Sequence, residues 1–377
     1  MQTVDYLLIG PAHPFRGGIA QTQNELALSL IRLGKTVQLF TFKKLYPNFL
    51  FPGESQYTSE AKPDLLEIKI DLHSYNPFNW IKTAKKINTI NPKVVVFRYY
   101  NPLLAFCYSG IINNLNDRIK KVALVDNWIH HESKFYDEIL NKLFSKKIDS
   151  FITLSDNVAL ELKKQINSNI FSGFHPISNN LPKIISKSKA RKKLGWDNNS
   201  PVVLFYGLIR PYKGLDDLLK AFAKPPLNLS NVKLAITGEF YESINKYQAI
   251  IKKLKLEDKI YLIPKFSDTK STQLYFSSAD VVALTYKSAT QSGVISLAYH
   301  FETPILVTNL LGLKTPIVND NTGLVCSHEP EDISIKLMEM LKLDRNIIYI
   351  RNIKRSLKKY SWEEYSKHII NFIEKIN

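Results

Sequence analysis

The groups best suited to chemistry are cations set beside glycine turns. In "LFYGLIRPYKGLDDLLKAF" (204–222), Gly207, Arg210, Lys213 and Gly214 follow a β-rich run and precede a helical one. Two cations next to a helix N-terminus suit a diphosphate, because amide dipoles and side-chain charges add. The same pattern also describes a surface turn with two solvated cations. In "YKSATQSGVISLAY" (286–299), a strand-like run gives way to a small-residue turn, and Ser292 and Gly293 offer backbone amides where a helix begins. In "LAITGEFY" (234–241), Gly238 and Glu239 stand just past a strand; Glu239 is either a hydrogen-bond acceptor for a sugar or ribose or an ordinary loop acid.

The first half of the chain adds two such strand-end loops. "IGPAHPFRGGIAQTQNELALSL" (9–30) sets Gly17 and Gly18 before a helix, where bare backbone lets a ligand approach closely. Gly10, Gly17 and Gly18 do not complete GxGxxG, so a dinucleotide site is poorly supported. "VALVDNWIHHES" (122–133) carries His130, His131 and Glu132 after an apolar run. A histidine there can hydrogen-bond a sugar hydroxyl or act as acid or base, or can be a structural loop residue. Adjacent histidines cannot both face one ion from a regular helix, and HExxH, CxxC, GxSxG and Walker A patterns are all absent, so no metal is expected.

These loops need strands behind them and helices in front. Short β-rich runs alternate with helical patterns throughout, which predicts an α/β architecture of parallel sheets with crossover helices. The runs predict strands at 6–9, 36–42, 65–70, 93–97, 122–126 and 151–154 in the first half, with a helix at 19–33. In the second half they predict strands at 202–206, 233–237, 260–263, 281–284 and 305–308, with helices near 214–223, 242–255, 269–278 and 292–301. The proline- and asparagine-rich 172–188 breaks the rhythm and reads as an inter-domain linker. The C-terminal "SWEEYSKHIINFIEKIN" (361–377) reads as a helix, with Ser361 and Glu364 spaced as a capping box. The expected domains are therefore 1–175, 176–360 and a terminal helix, 361–377. Open α/β sheets bind ligands at the carboxyl ends of their strands, so a cleft between two such domains is where chemistry is expected.

Composition sets outer limits. A chain of 377 residues exceeds the size at which one core usually keeps growing. The net charge of +17 suits an anionic partner, whether nucleic acid, an acidic membrane surface or a phosphorylated substrate. No basic helix with interleaved aromatics appears, so nucleic acid is not expected. The two cysteines, Cys107 and Cys326, are far apart in apolar surroundings, which fits a reducing cytoplasm. No run of eighteen apolar residues predicts a membrane span.

In this order and spacing the loops resemble retaining glycosyltransferases of the GT-B fold in family 4, the group 1 glycosyl transferases. The resemblance is carried by Gly17-Gly18, His131-Glu132, "GLIRPYKG" (207–214), "GEF" (238–240), "SADVVALTYKSATQSGV" (278–294) and "NTGLV" (321–325). The wording of "DNWIHHE" and "YKSATQSGV" is similar to bacterial members of the surface-polysaccharide type. The resemblance implies two Rossmann-like domains facing a cleft, with the C-terminal helix crossing back to the first. It implies a nucleotide-diphosphate sugar on the second domain and a glycan or polyprenyl-linked acceptor on the first. Arg210 and Lys213 would neutralise the diphosphate as the glycosidic bond breaks, with His131 beside the transferred sugar. Gly17, Gly18, Gly207, Glu239 and Phe240 would line the donor, and Thr290, Gln291, Ser292, Gly293 and Val294 would complete its cradle. Arg16 and Glu132 would contact the acceptor. No cofactor or metal is implied.

One departure stands out. Members of this family commonly carry two glutamates eight positions apart around the 286–299 turn. Anchored on Pro304, those positions hold Ala289 and Leu297 here. Glu302 is five helical steps beyond 297 and faces elsewhere, which leaves Ser288, Thr290 and Gln291 to supply neutral contacts. The loop 43–57, mixing lysine with aromatics, reads either as a packed loop or as a peripheral contact with anionic membrane at the cytoplasmic face. Two alternatives remain beside transfer: a nucleotide-sugar epimerase on the same fold, and a catalytically silent glycan- or nucleotide-binding partner protein.

Overall fold

A computed structural model of the chain describes residues 3–45, 56–58, 61–128 and 135–376. The chain divides into two compact units, 1–176 with 361–377, and 177–360.

The first unit runs β1 (Tyr6–Ile9), α1 (Gly18–Arg32), β2 (Val37–Lys44), β3 (Ile68–His73), α2 (Pro77–Ile90), β4 (Val94–Tyr99) and α3 (Leu104–Ile112). It continues with β5 (Lys120–Val125), α4 (Asp137–Ser145), β6 (Ser150–Thr153), α5 (Asp156–Lys163) and β7 (Asn169–Phe171). The seven strands lie parallel in the order β3-β2-β1-β4-β5-β6-β7. Alternate strand residues go to opposite faces, as the two-residue period requires. Leu7, Ile9, Val95 and Phe97 join the core under α2 to α5, while Tyr6, Leu8, Val94 and Val96 join the core under α1. With both faces covered, the central strands read as unbroken apolar runs.

The second unit runs α6 (Lys187–Leu194), β8 (Val202–Tyr206), α7 (Leu215–Phe222), β9 (Lys233–Thr237), α8 (Ile244–Lys253), β10 (Ile260–Ile263), α9 (Thr269–Ser278) and β11 (Val281–Leu284). Then come α10 (Gly293–His300), β12 (Ile305–Thr308), α11 (Leu311–Asp320), β13 (Gly323–Cys326), α12 (Pro330–Met340) and α13 (Leu343–Ser356). Its six parallel strands are ordered β10-β9-β8-β11-β12-β13. In each sheet the order reverses beside the first strand, between β1 and β4 and between β8 and β11. Such reversal points leave a crevice at the carboxyl ends of the strands.

The last helix, α14 (Trp362–Lys375), belongs to the first unit. Its Trp362, Tyr365, Ile369 and Ile373 enter the core beneath α1, and Ser29 Oγ donates to the Trp362 carbonyl at 2.9 Å. Ser361 Oγ accepts the Glu364 N–H at 3.2 Å, but the Glu364 carboxylate lies 3.2 Å from Lys367 Nζ instead of closing the reciprocal half of a capping box.

Two edge strands, β7 of three residues and β13 of four, the latter opening on Gly323, were not expected from the sequence. The strand expected at 65–70 begins three residues later: Leu65, 64% exposed, belongs to a turn, and the buried apolar side chain of the strand is Leu72.

Candidate functional site

The second unit gathers its expected site residues at the carboxyl ends of β8, β9 and β11. Past their last strand pairs, β8 and β9 stay zipped: Gly207 N–H donates to the Thr237 carbonyl at 3.0 Å and Ile209 N–H to that of Glu239 at 2.8 Å. This approach requires glycine at 238, where φ is +147° and an added Cβ would lie 1.8 Å from the Gly207 carbonyl oxygen. Gly214 has φ +67°, and a Cβ there would lie 1.9 Å from the Thr285 carbonyl oxygen. The turn that carries Lys213 is thus pressed against the end of β11.

Threonines fasten these turns. Thr285 Oγ1 donates to the Gly214 carbonyl at 2.9 Å, and Thr308 Oγ1, at the end of β12, donates to that of Tyr286 at 2.6 Å. Gly312 closes the far side, since a Cβ on it would sit 2.0 Å from the Thr290 carbonyl oxygen. None of these three was singled out in the sequence. A threonine closing a buried strand is the signal that Thr285 and Thr308 share with Thr237, which is likewise fully buried.

The electrostatics are asymmetric. Lys287 lies 2.7 Å from Asp216 and 3.4 Å from Asp217, the acids in the first turn of α7. The N-terminus of α7, the helix after the Arg210–Lys213 turn, is therefore already occupied by carboxylates. Arg210 and Lys213 are left without a carboxylate partner among the described residues. Arg210 stacks its guanidinium 4.8 Å from the centre of the Tyr241 ring, and Lys213 Nζ lies 5.4 Å from that of Tyr286. Lys213 is only 6% exposed. Burial, with Arg210 beside it, holds its ammonium down at about 8 from the ordinary 10.5. A buried cation with no counter-ion is costly unless an anion arrives.

The first turn of α10 carries no acid. Ser292 caps this helix by accepting the Val294 N–H at 3.3 Å, and Ile295 N–H reaches the Ser292 carbonyl at 3.1 Å. The Val294 N–H is engaged by this cap, and its side chain lines the Gly207 turn, with Cγ2 3.9 Å from where a Cβ would stand on Gly207. Gly293 N–H has no acceptor among the described residues and heads the helix. Thr290 and Gln291 stand in the same turn, Thr290 buried and Gln291 half-buried.

Glu239 Oε2 is buried and accepts no hydrogen bond among the described residues. That suits an acceptor awaiting a ligand hydroxyl. Phe240 turns its ring 5.7 Å from Tyr247, edge to face, so it forms a wall of the core beneath the site. Glu302 takes Lys354 at 2.9 Å and contributes nothing to the turn.

In the first unit, Gly17 has φ +100° and caps α1 with no side-chain hydrogen bond. A Cβ on Gly17 or Gly18 would meet nothing within 4 Å among the described residues. Arg16 is half-buried, its N–H bonded to the Gln56 carbonyl at 2.9 Å. His130, His131 and Glu132 lie outside the described residues, as does most of the 43–57 loop.

A buried polar cluster at the β1/β4 reversal was not foreseen. Arg98, 1% exposed, donates from Nε and Nη2 to Asp126 at 2.5 and 2.6 Å, and from Nη2 to Thr22 Oγ1 at 2.9 Å. Arg98 Nη1 and both amide atoms of Gln23 are buried without partners among the described residues. Gly10 makes room for the arginine, since a Cβ on it would lie 2.5 Å from Arg98 Cβ. The cluster ties β4, β5 and α1 together under the Gly17–Gly18 loop. Its sequence signal was Arg98 inside an apolar run, a charge no exposed strand face explains.

Comparison with known proteins places this geometry. Residues 186–361, nearly all of the second unit, match the family described as Glycosyl transferases group 1. A curated relative, the D-inositol 3-phosphate glycosyltransferase of Xylanimonas cellulosilytica, is 24% identical over 181 residues, covering 48% of this chain and 43% of its own. The corresponding enzyme of Rhodococcus jostii is 28% identical over 48% or less of either chain, at 47% and 41%. The chain thus spans less than half the length of these curated relatives. Among solved structures, the sucrose-phosphate synthase of Thermosynechococcus elongatus superposes with a TM-score of 0.77 at 14% identity, covering 99% of both chains. The likeness establishes the fold as GT-B: two Rossmann-like units, each on a parallel sheet.

Proposed function

We propose that the chain is a glycosyltransferase that moves a sugar, with retention, from a nucleoside diphosphate donor to a glycan or polyprenyl-linked acceptor. The observation that carries this reading is the pair Arg210 and Lys213, cations without carboxylate partners among the described residues, together with the acid-free start of α10. Negative charge grows on the leaving diphosphate as the glycosidic bond lengthens, and fixed cations stabilise it most at that point. Here the two side chains and the Gly293 amide do this work, with no metal or cofactor in the reaction. Glu239 accepts a hydroxyl of the donor through Oε2, and Thr290 and Gln291 give neutral contacts where related enzymes use acids. Gly17 and Gly18 let the donor sugar pass close to the backbone of the first unit, beside His131. Arg16 and Glu132 meet the acceptor, and the reaction runs at the cytoplasmic face of the membrane.

The match of the second unit to group 1 glycosyl transferases supports the donor half of this reading. So does the fold neighbour HepE of Anabaena, whose structure holds UDP and glucose. A panel of nucleotide sugars, with thermal shift for binding and nucleoside diphosphate release for turnover, tests it. Binding and turnover in the native protein, both lost in Arg210→Ala and Lys213→Met, are expected. Turnover intact in both variants would remove the cradle from the mechanism. Ala289 and Leu297, neutral where such enzymes carry glutamate, favour one second reading, a silent nucleotide-binding partner; tight donor binding with no turnover across acceptors would establish it.

A further inference from the structure

The layer α2–α3–α4 covers one face of the first sheet, yet its outer surface is not the polar surface such a layer normally shows water. On α2 the outward stripe is Phe78, 84% exposed, with Ile81, Lys82 and Lys85 following at helical spacing. On α3 it is Leu103 and Phe106, 51% and 53% exposed. On α4 it is Ile139 and Leu143, with Phe135 just ahead of the helix at 91% exposure. Exposed apolar side chains thus recur on three helices that pack in sequence, α2 on α3 and α3 on α4, and apolar surface gathered in one region is the mark of a docking face.

The topology concentrates it. All seven strands are parallel, so each crossover helix begins at the carboxyl edge of the sheet. Phe78 lies in the first turn of α2, Phe106 in the first turn of α3, and Phe135 two residues ahead of α4. The rings therefore gather at the edge that also carries Gly10 and the start of α1. Charge follows a second rule. Helix α2 holds three lysines and no acid, and α3 holds no charge at all. On α4, Asp137 stands half-buried in the first turn, Glu138 is paired with Lys142 at 2.7 Å, and Lys146 and Lys147 follow the helix exposed. At 1.5 Å per residue, Lys82 and Lys85 stand roughly 6 and 10 Å behind Phe78 along α2. An apolar edge with cations set back by that distance matches a bilayer, whose acyl boundary lies about 5–10 Å below anionic headgroups.

We propose that this face is a membrane-docking surface: Phe78, Phe106, Phe135 and Ile139 enter the headgroup–acyl boundary of an anionic bilayer while Lys82 and Lys85 of α2, and Lys146 and Lys147 after α4, meet lipid phosphates; Lys86 and Lys142 are held by Asp71 and Glu138. Docked so, the carboxyl edge of the first sheet opens at the lipid surface, where a polyprenyl-linked acceptor presents its sugar. The setting rests on the function proposed above, but the docking itself does not require transfer. It also moves the membrane contact from the 43–57 loop to a helical layer.

The test is flotation of the full chain with extruded vesicles of 30% phosphatidylglycerol in phosphatidylcholine, against pure phosphatidylcholine. The native chain should float with the anionic vesicles, and release as salt rises from 50 to 500 mM. Phe78→Ser with Phe106→Ser should lower partition about tenfold for each ring, the scale of withdrawing one large apolar side chain. Both side chains are exposed, so melting temperature and UDP affinity should stay at native values, which separates a failed docking surface from a failed donor site. Leu229→Ser, at an 82% exposed leucine of the second unit, should change nothing. No flotation of the native chain, or flotation undiminished in the double variant, overturns the proposal. So does a concentration-dependent dimer that the same double variant abolishes, because the patch would then join two copies of the chain.

Discussion

Lys213→Met separates binding from stability in opposite directions. The native ammonium is buried beside Arg210 and held at about 8, against 10.5 for an ordinary lysine. Each pH unit of that drop corresponds to about 1.4 kcal/mol, so at pH 7, where both folded and unfolded chains are protonated, the charge costs the folded state about 3 kcal/mol. Methionine has similar length and no charge, and it should recover most of that amount. The sign with pH follows from the depressed value. Between about 8 and 10.5 the unfolded chain holds a proton that the folded one has released, so native stability gains as pH rises. The advantage of the variant should shrink to about 1 kcal/mol by pH 9.5. Urea unfolding at pH 7 and 9.5 reads the stability arm, and calorimetry with UDP reads the other. UDP affinity should collapse in the variant, and in the native chain it should weaken as pH climbs through about 8. A variant less stable than native at pH 7, or one that still binds UDP normally, would refute the idea that Lys213 is a destabilising cation kept for an anion.

Other perturbations should act as follows. Glu239→Gln should lower donor affinity about tenfold, the scale of a hydrogen bond to a charged acceptor, with unfolding free energy unchanged; calorimetry and urea titration check both. Gly238→Ala should destabilise the second unit by roughly 3 kcal/mol or more, because a Cβ would stand 1.8 Å from a carbonyl oxygen; limited proteolysis should cut within 177–360 first. Asp126→Asn should cost about 3–5 kcal/mol by leaving the Arg98 charge buried without its partner, measured by urea unfolding. Ser361→Ala should cost about 1 kcal/mol through the lost cap of α14, seen as a lower melting temperature.

Five strands of the second unit were readable to the residue. β8, β9, β11 and β12, flanked by neighbours and covered by helices, are unbroken apolar runs, and the edge strand β10 is apolar throughout as well. β7 and β13 were not: β7 is three residues opening on Asn169, and β13 opens on Gly323 after Asn321 and Thr322, which read as a turn. The glycines, cations and helix starts of the 204–222 and 286–299 stretches were legible as types. Their commitments were not: that Lys287 serves Asp216 while Lys213 has no carboxylate partner among the described residues depends on which turns meet in space. The close approaches at Gly214, Gly238 and Gly312 are likewise tertiary, each set by a carbonyl tens of residues away. Thr285 and Thr308 were passed over because a threonine at a strand end is ordinary until its hydroxyl is seen closing a neighbouring turn. Arg98 was passed over because its partner, Asp126, lies on another strand end.

The central claim is that the second unit holds a nucleoside diphosphate on Arg210 and Lys213. Calorimetric titration of the full chain with UDP, GDP and ADP tests it most directly. At least one should bind with micromolar affinity and lose it in both Arg210→Ala and Lys213→Met. Binding of none below the millimolar range, or binding that survives both substitutions, would contradict the account.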